Sequence, residues 1–157
     1  MVTLYTVQHR DVVDTLTRGH VYVPSWTKCH LPEFEPAYRW LAGQLGWKDP
    51  PVWLWPNRDD VTEQFDDSHL YAVITISCDD AAPHYLNFFA WHAVLNNSFL
   101  YFTDEELEAV FTQELVRESW LRLFKPIPPE VEYGDTMQAL LPRLFPEDVL
   151  NIEFLTR

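Results

Sequence analysis

The chain has 157 residues, of which 47% are hydrophobic and 15% aromatic, so it can bury a core of its own and does not have the composition of a disordered segment. We therefore expect a single domain spanning residues 1–157. Its 24 acidic and 11 basic residues give a formal net charge of −13, which argues against direct nucleic-acid binding, since that needs a basic surface.

The first 23 residues predict a strand–helix–strand unit. Residues 3–8 alternate and are β-prone, and the next apolar positions fall at helical spacing up to Gly19, which suits the end of a helix. Residues 20–23 predict a second short strand that Pro24 ends. The polar residues after the first strand do not fit a signal peptide, and we expect a cytoplasmic protein without membrane association.

The middle of the chain predicts a helix and two strands. Pro36 suits the first turn of a helix that Gly46 ends, and residues 52–55 predict a strand between prolines. Residues 71–77 form a β-branched run, which is typical of an inner strand. Asn87 then predicts the cap of a helix that runs to Leu95.

The last third predicts two further helices and a closing strand. A capping box begins at Thr103 and predicts a helix with a buried stripe. Asp135 and Gln138 predict the start of a short helix, and residues 149–155 a closing strand. The expected stripe consists of Leu107, Val110, Phe111 and Leu115. The whole pattern predicts an α+β fold with packed helices and one mixed β-sheet that contains the opening unit.

Several segments together resemble one bacterial family. The most specific is Trp-His-Ala-Val-Leu-Asn-Asn at residues 91–97, and the others are residues 4–8, 37–40, 51–55, 119–120, 137–139 and 149–157. Their order and spacing are similar to those of the domain-of-unknown-function family DUF3841 over almost the whole chain. This resemblance implies a fold neighbourhood and carries no established activity.

Spacing argues against several kinds of chemical site. The histidines and cysteines match no zinc motif, because Cys29 and His30 are adjacent and Cys78 and His84 flank an acidic turn. We expect no metal, and no cofactor is identified. Four scattered glycines provide neither a phosphate-binding loop nor a nucleophile elbow. A nucleophilic pair of Cys78 with His84 or His92 remains an open alternative.

A polar and aromatic pocket for a small ligand, such as a nucleotide or NAD, is the favoured hypothesis. Side chains two residues apart on a strand share a face, which groups Thr6 with Gln8 and Trp53 with Trp55. His92 also fits a core histidine whose nitrogens are satisfied by backbone or amide groups. The candidate ligand-binding residues are Thr6, Gln8, Trp53, Trp55, Trp91, His92, Asn96 and Gln138.

The opening unit also resembles the start of small ADP-ribosyltransferase-like domains. Those domains hold NAD with a polar residue of the first strand, an aromatic stack and a late acidic residue. The resemblance implies Thr6 or Gln8, Tyr22 or Trp26, and Glu153 for these roles. Whether the protein catalyses a reaction stays open at this point.

An acidic interaction or inhibitor protein is the alternative. Between Arg58 and Arg117 the chain has twelve carboxylates and no lysine or arginine, a distribution that attracts basic protein surfaces. Such a protein would mimic nucleic acid, as in phage counter-defence, with aromatic anchors at Phe99, Tyr101 and Phe102. The candidate contact residues are Asp59, Asp60, Asp66, Asp67, Asp104, Glu105 and Glu106.

Overall fold

The computed structural model describes residues 1–28, 32–61 and 68–155, and this part of the chain has an α+β architecture. Its strands form two three-stranded sheets, ordered β1-β3-β6 and β2-β5-β4. The strands are β1 (Val2–His9), β2 (Val52–Leu54), β3 (Tyr71–Cys78), β4 (His84–Asn87), β5 (Met137–Leu141) and β6 (Val149–Phe154). The helices are α1 (Arg10–Thr17), α2 (Glu35–Leu45), α3 (Phe88–Leu95), α4 (Asp104–Leu107) and α5 (Gln113–Ser119).

The first sheet is built around β3, as its β-branched sequence predicts. β3 pairs with β1 along its whole length, from Val2 opposite Cys78 to His9 opposite Tyr71. Its other edge pairs with β6, with a bulge between Thr75 and Ile76. The inner-strand and closing-strand predictions are therefore confirmed.

The prediction of one mixed sheet is wrong. Every strand pair in the described residues is antiparallel, and the strands are divided between two sheets. Residues 20–23 do not form a strand, because Tyr22 makes only an isolated bridge to Leu144. Pro24, which has no backbone N–H, follows soon after and prevents a longer ladder. The opening unit therefore contributes one strand and one helix.

The second sheet contains the clearest misprediction. Residues around Gln138 form β5, the central strand, and not the start of a helix. Ala139, Leu140 and Leu141 are buried in succession, as in a strand covered on both faces, and this burial outweighs the local capping signal. β4, which precedes α3, was not predicted. Tyr5 and Trp55 exchange two backbone hydrogen bonds, of 3.0 and 2.7 Å, and so join the two sheets.

Local helix signals are largely confirmed. Asn87 caps α3 by accepting a hydrogen bond from the backbone N–H of Ala90 at 2.9 Å. Gly46 ends α2 with a φ of 74°, a left-handed conformation that favours glycine. None of the helices in the described part of the chain has the length and apolar character that crossing a bilayer requires.

The helix predicted from Thr103 onward is shorter than expected. The capping box is present, but α4 ends at Leu107 and a new helix, α5, is capped by Thr112. Val110 is 99% exposed, and Leu107 and Leu115 are also exposed, so the expected buried stripe is wrong. Phe111 instead stacks on Phe99 with ring centroids 3.7 Å apart, outside any helix.

Two main core clusters fix the elements relative to one another. Leu4, Ile74 and Ile76 of the first sheet pack with α1. The second cluster joins the second sheet to α2 and α3, around Leu41, Trp91 and Leu140. The edge of the molecule where β1 runs into α1 therefore lies beside β2, and a cleft opens there.

Candidate functional site

A cleft of about 550 Å³ lies at the junction of β1 and α1. Its walls come from the end of β1, the first turns of α1, residues 22–28, Tyr38 of α2, residues 50–53 and the start of β3. These segments are distant in sequence and meet because β1 pairs with β3 and bridges to the residue after β2.

A chain of hydrogen bonds orients Gln8 at this cleft. The amide Nε2 of Gln8 donates to the hydroxyl of Thr6 at 2.8 Å, and this hydroxyl donates to the backbone carbonyl of Trp53 at 2.7 Å. Thr6 is only 1% exposed, so the polar side chain is satisfied inside the protein. Thr6 thus holds the Gln8 amide in place and, through its bond to Trp53, connects the two sheets.

Aromatic rings supply much of the remaining wall. Tyr22, Tyr38, Trp53 and Tyr71 all line the cleft. Tyr38 meets Trp53 edge-on, with ring centroids 5.9 Å apart. Burial raises the pKa of the Tyr22 hydroxyl above its usual value of 10, so this phenol stays neutral at physiological pH. The cleft therefore offers several flat apolar surfaces to a ligand.

Side chains of both charge signs, Asp11 and Lys28, line the cleft. The backbone N–H of Asp11 donates to Nδ1 of His9 at 3.1 Å, so the neutral imidazole carries its proton on Nε2. The carboxylate of Asp11 lies 3.4 Å from the same Nδ1, and exposed Lys28 lines the cleft as well. The cleft therefore lacks the purely acidic character of residues 59–116.

A comparison with models of protein families assigns the chain to one family. The model of a family described as "Domain of unknown function (DUF3841)" matches residues 3–119. The chain belongs to this family. No curated protein and no solved structure matches it. All residues that line the cleft of this DUF3841 domain fall within the matched range, whereas β5 and β6 lie beyond it.

Only part of the predicted ligand set meets at the cleft of the DUF3841 domain. Gln8 and Trp53 line it, and Thr6 lies directly behind Gln8. The remaining predicted ligand residues lie elsewhere, and they are Trp55, Trp91, His92, Asn96 and Gln138. Trp91 is 2% exposed and packs in the second core cluster, where its ring contacts that of Trp53 at 5.2 Å.

Gln138 and Asn96 have local structural environments. Gln138 is buried within β5, the central strand of the second sheet. Asn96 is exposed at the C-terminal end of α3. Neither side chain faces the cleft, because β5 and the end of α3 contribute nothing to its walls.

His92 belongs to a separate aromatic group on α3. Its Nδ1 donates to the backbone carbonyl of Phe88 at 2.8 Å, one turn earlier, since a carbonyl can only accept. Its ring contacts Phe88 and Phe89, and Trp55 also packs against Phe88. The satisfied nitrogen and the packed ring agree with the structural interpretation of this histidine.

Glu153 lies on the other face of the first sheet from Gln8. Val7, Val73 and Glu153 occupy paired positions across β1, β3 and β6 and therefore share a face. Gln8 follows Val7 and points to the opposite face. Glu153 lies near Arg58, with an N–O distance of 3.5 Å. The fold does not bring together the polar and acidic residues that the ADP-ribosyltransferase resemblance implies.

Trp26 has a role beside the cleft and does not line it. Its indole N–H donates to the carbonyl of Lys48 at 2.7 Å, and the guanidinium of Arg39 lies 4.3 Å from the centre of its ring. These contacts hold residues 26–28 against α2 and the loop after it. Of the two aromatic candidates, Tyr22 and Trp26, the cleft contains Tyr22.

The predicted acidic contact residues do not form one set. Asp59 and Asp60 lie in a short 3₁₀ turn after β2, and Asp66 and Asp67 lie outside the described residues. Asp104 and Glu105 line a second depression, of about 370 Å³, together with two further acids, Glu130 and Glu132. Tyr101 and Phe102 line this depression as well, as the predicted anchors, whereas Phe99 does not.

Glu106 is used inside the protein. Both carboxylate oxygens accept hydrogen bonds of 2.9 Å from Arg122, and the backbone N–H groups of Phe102 and Thr103 donate to Oε1. These contacts, the Arg122 hydrogen bonds above all, lower the pKa of Glu106 to about 2. The carboxylate of Glu106 is therefore already paired within the protein and is less available to a basic partner.

Cysteine chemistry finds no support at Cys78. Its thiol is buried at the end of β3, and burial together with Asp148 and the adjacent Asp79 raises its pKa. A neutral buried thiol is a poor nucleophile. Cys29 and His30 lie outside the described residues, and within those residues no three His, Cys, Asp or Glu side chains are grouped to hold a metal ion.

Sequence reasoning missed several residues of the cleft. His9, Lys28, Tyr38 and Tyr71 were not singled out. His9 and Tyr71 are direct partners in the β1–β3 register and contact each other edge-on at 5.6 Å. Knowledge of the strand pairing would have placed His9 and Tyr71 together, whereas Lys28 and Tyr38 reach the cleft only through the tertiary fold.

Proposed function

We propose that this protein binds a small molecule with a planar ring, such as a nucleotide or NAD, in the cleft at the β1–α1 junction. Support comes chiefly from one observation: a cleft of about 550 Å³ combines several aromatic walls with a few positioned polar groups. Ligand sites of proteins have this size and this composition.

A flat ligand gains most from these surroundings. Trp53, Tyr22 and Tyr38 provide faces and edges against which a ring packs, and ordered packing of this kind contributes beyond the apolar area it buries. Gln8, His9 and Lys28 supply hydrogen-bond donors, and Asp11 an acceptor. The expected location is the cytoplasm, where nucleotides and NAD are abundant.

The proposal concerns binding, and the geometry gives no support for ADP-ribosyl transfer through Glu153. Gln8 and Glu153 lie on opposite faces of the first sheet. A catalytic group has to come within hydrogen-bond distance of the reacting atoms. Any reaction in this cleft would instead use groups that line it, such as His9 and Asp11.

Two matched substitutions on α1 test the cleft. Thr15 lines the cleft and Thr17 does not. The two are otherwise alike, since the hydroxyl of Thr15 donates to the backbone carbonyl of Asp11 and that of Thr17 to the carbonyl of Asp14. Thr15→Trp should fill the cleft and abolish binding of nucleotides or NAD in calorimetric titration, whereas Thr17→Trp should bind as the wild type does. Equal binding by the two variants would place the ligand elsewhere, and no binding by the wild type would refute the proposal.

The second candidate function is docking on a basic protein surface. In the described part of the chain, four carboxylates and no lysine or arginine line the depression beside α4, and exposed Leu107 lies in it. Charge complementarity of this kind accelerates association and favours basic partners. Asp104→Asn with Glu105→Gln should weaken such a complex and reduce its salt dependence, and the matched control is Glu33→Gln, which is exposed and does not line the depression. A complex unaffected by both salt and the double substitution would exclude this surface.

A further inference from the structure

The hydrogen bonds behind Gln8 leave its amide a single orientation. The hydroxyl of Thr6 has one proton, and it goes to the carbonyl of Trp53, which can only accept. The same oxygen must therefore accept from Gln8, so the amide has to present an N–H to it and not its Oε1. Because Thr6 is 1% exposed, water offers no replacement partner.

The rest of the amide is available at the cleft. After the bond to Thr6, Gln8 keeps one N–H donor and the Oε1 acceptor. Among the described residues neither group makes a further hydrogen bond. Gln8 itself lines the cleft and is only partly buried, so a ligand can reach both groups.

We propose that Gln8 determines ligand specificity by recognising a neutral ligand whose ring carries a hydrogen-bond donor and an acceptor side by side. A ring with a carboxamide substituent and an aminopurine both have this pattern. This inference rests on the proposed binding function of the same cleft. A carboxylate in the same place has acceptors only. One of its oxygens would accept from the remaining N–H of Gln8, but the other would face Oε1, which is also an acceptor. Gln8 has no second free donor to satisfy that oxygen.

Thr6 acts in this scheme as a positioning residue. Its hydroxyl touches Gln8 and the main chain of Trp53, and it does not line the cleft. Replacing Thr6 by valine removes the group that fixes which way the amide faces, so a donor and an acceptor become interchangeable. Serine retains the hydroxyl and should retain the orientation.

Nicotinamide and nicotinate provide the discriminating test, since they differ only in a carboxamide and a carboxylate. Both are titrated into the full chain, with binding followed by NMR chemical shifts and by tryptophan fluorescence. Wild type should prefer nicotinamide at least tenfold, which corresponds to about 1.4 kcal/mol. Gln8→Met should remove the preference, and the control Gln44→Met, on an exposed position of α2, should keep it.

The Thr6 variants give an independent readout. Thr6→Val should reduce the preference at least fivefold while circular dichroism shows a folded protein, and Thr6→Ser should restore it. A preference that persists in Gln8→Met, or equal binding of both compounds to wild type, overturns the role of Gln8 and leaves the cleft as a ligand site. If neither compound, nor any nucleotide or NAD, binds the wild type, both this inference and the proposed function fail.

Discussion

Arg122 holds Glu106 with two parallel hydrogen bonds of 2.9 Å and so fastens the start of α4 to the chain that follows α5. The same guanidinium donates to the carbonyl of Leu100 and lies over the rings of Phe99 and Phe102. The capping-box glutamate, which also satisfies the backbone N–H of Thr103, is thus a tertiary contact as well as a local one.

Glu106→Gln should lower the free energy of unfolding at pH 7 by about 1–2 kcal/mol, because it replaces a two-bond ion pair with a neutral contact and the pair is partly exposed. Urea unfolding measures this difference. Glu105→Gln is the matched control, since Glu105 is exposed and lies on the same turn, and it should change stability by less than about 0.5 kcal/mol. Equal effects of the two substitutions would contradict the role of Arg122.

The contribution of Glu106 should depend on pH in a defined direction. Its pKa is lowered from 4.5 to about 2 in the folded protein. The stabilisation is therefore fully present above pH 4.5 and is lost as the pH falls from 4.5 towards 2. The difference in unfolding free energy between wild type and Glu106→Gln should vanish over that interval, and a difference that stays constant down to pH 2 would refute the assignment.

Gly43 inside α2 and Gly46 just after it should respond to alanine with opposite signs. Gly46 has a φ of 74°, so Gly46→Ala should destabilise the protein by about 1 kcal/mol. Gly43 lies inside the helix, with no atom within 4 Å of an added Cβ, and Gly43→Ala should stabilise by about 0.5–1 kcal/mol. Thermal unfolding of both variants checks this, and shifts of the same sign would contradict it.

Asn87 should be the more important of two asparagine caps. Its Oδ1 accepts from Ala90, and its Nδ2 donates to the carbonyl of Gly134 at 2.8 Å in a buried setting. Asn87→Ala should cost about 2–3 kcal/mol, since it removes a cap and leaves a carbonyl unpaired. Asn57 caps an exposed turn through Asp59 alone, so Asn57→Ala should cost less than about 1 kcal/mol in the same denaturant experiment.

His92→Ala should leave ligand binding at the cleft within twofold of wild type. His92 does not line the cleft, and its Nδ1 is bonded to Phe88 within α3. The lost hydrogen bond and ring contacts should lower the unfolding free energy by about 1–2 kcal/mol. Calorimetric titration and urea unfolding of the one variant measure both effects, and a tenfold loss of affinity in a stable variant would return His92 to the ligand site.

Features that depend on neighbouring residues could be predicted from the sequence. The cap at Asn87, the left-handed end of α2 at Gly46 and the capping box at Thr103 each involve groups within about one helical turn. The inner position of β3 followed from its own β-branched residues, and the family resemblance from matching segments. Charge counting likewise identified the acidic middle of the chain.

Strand pairing, and with it the cleft, was decided by the tertiary structure. The side chains of Gln8 and Trp53 both reach the cleft because β1 pairs antiparallel with β3 and Tyr5 bridges to Trp55, and Tyr22 is held there by its own bridge to Leu144. The residues around Gln138 form a central strand although local capping signals predict a helix there. Burial of three consecutive apolar side chains contributes more free energy than one local cap. Glu106 shows the same division: sequence predicted its cap, and only folding brought Arg122 to it.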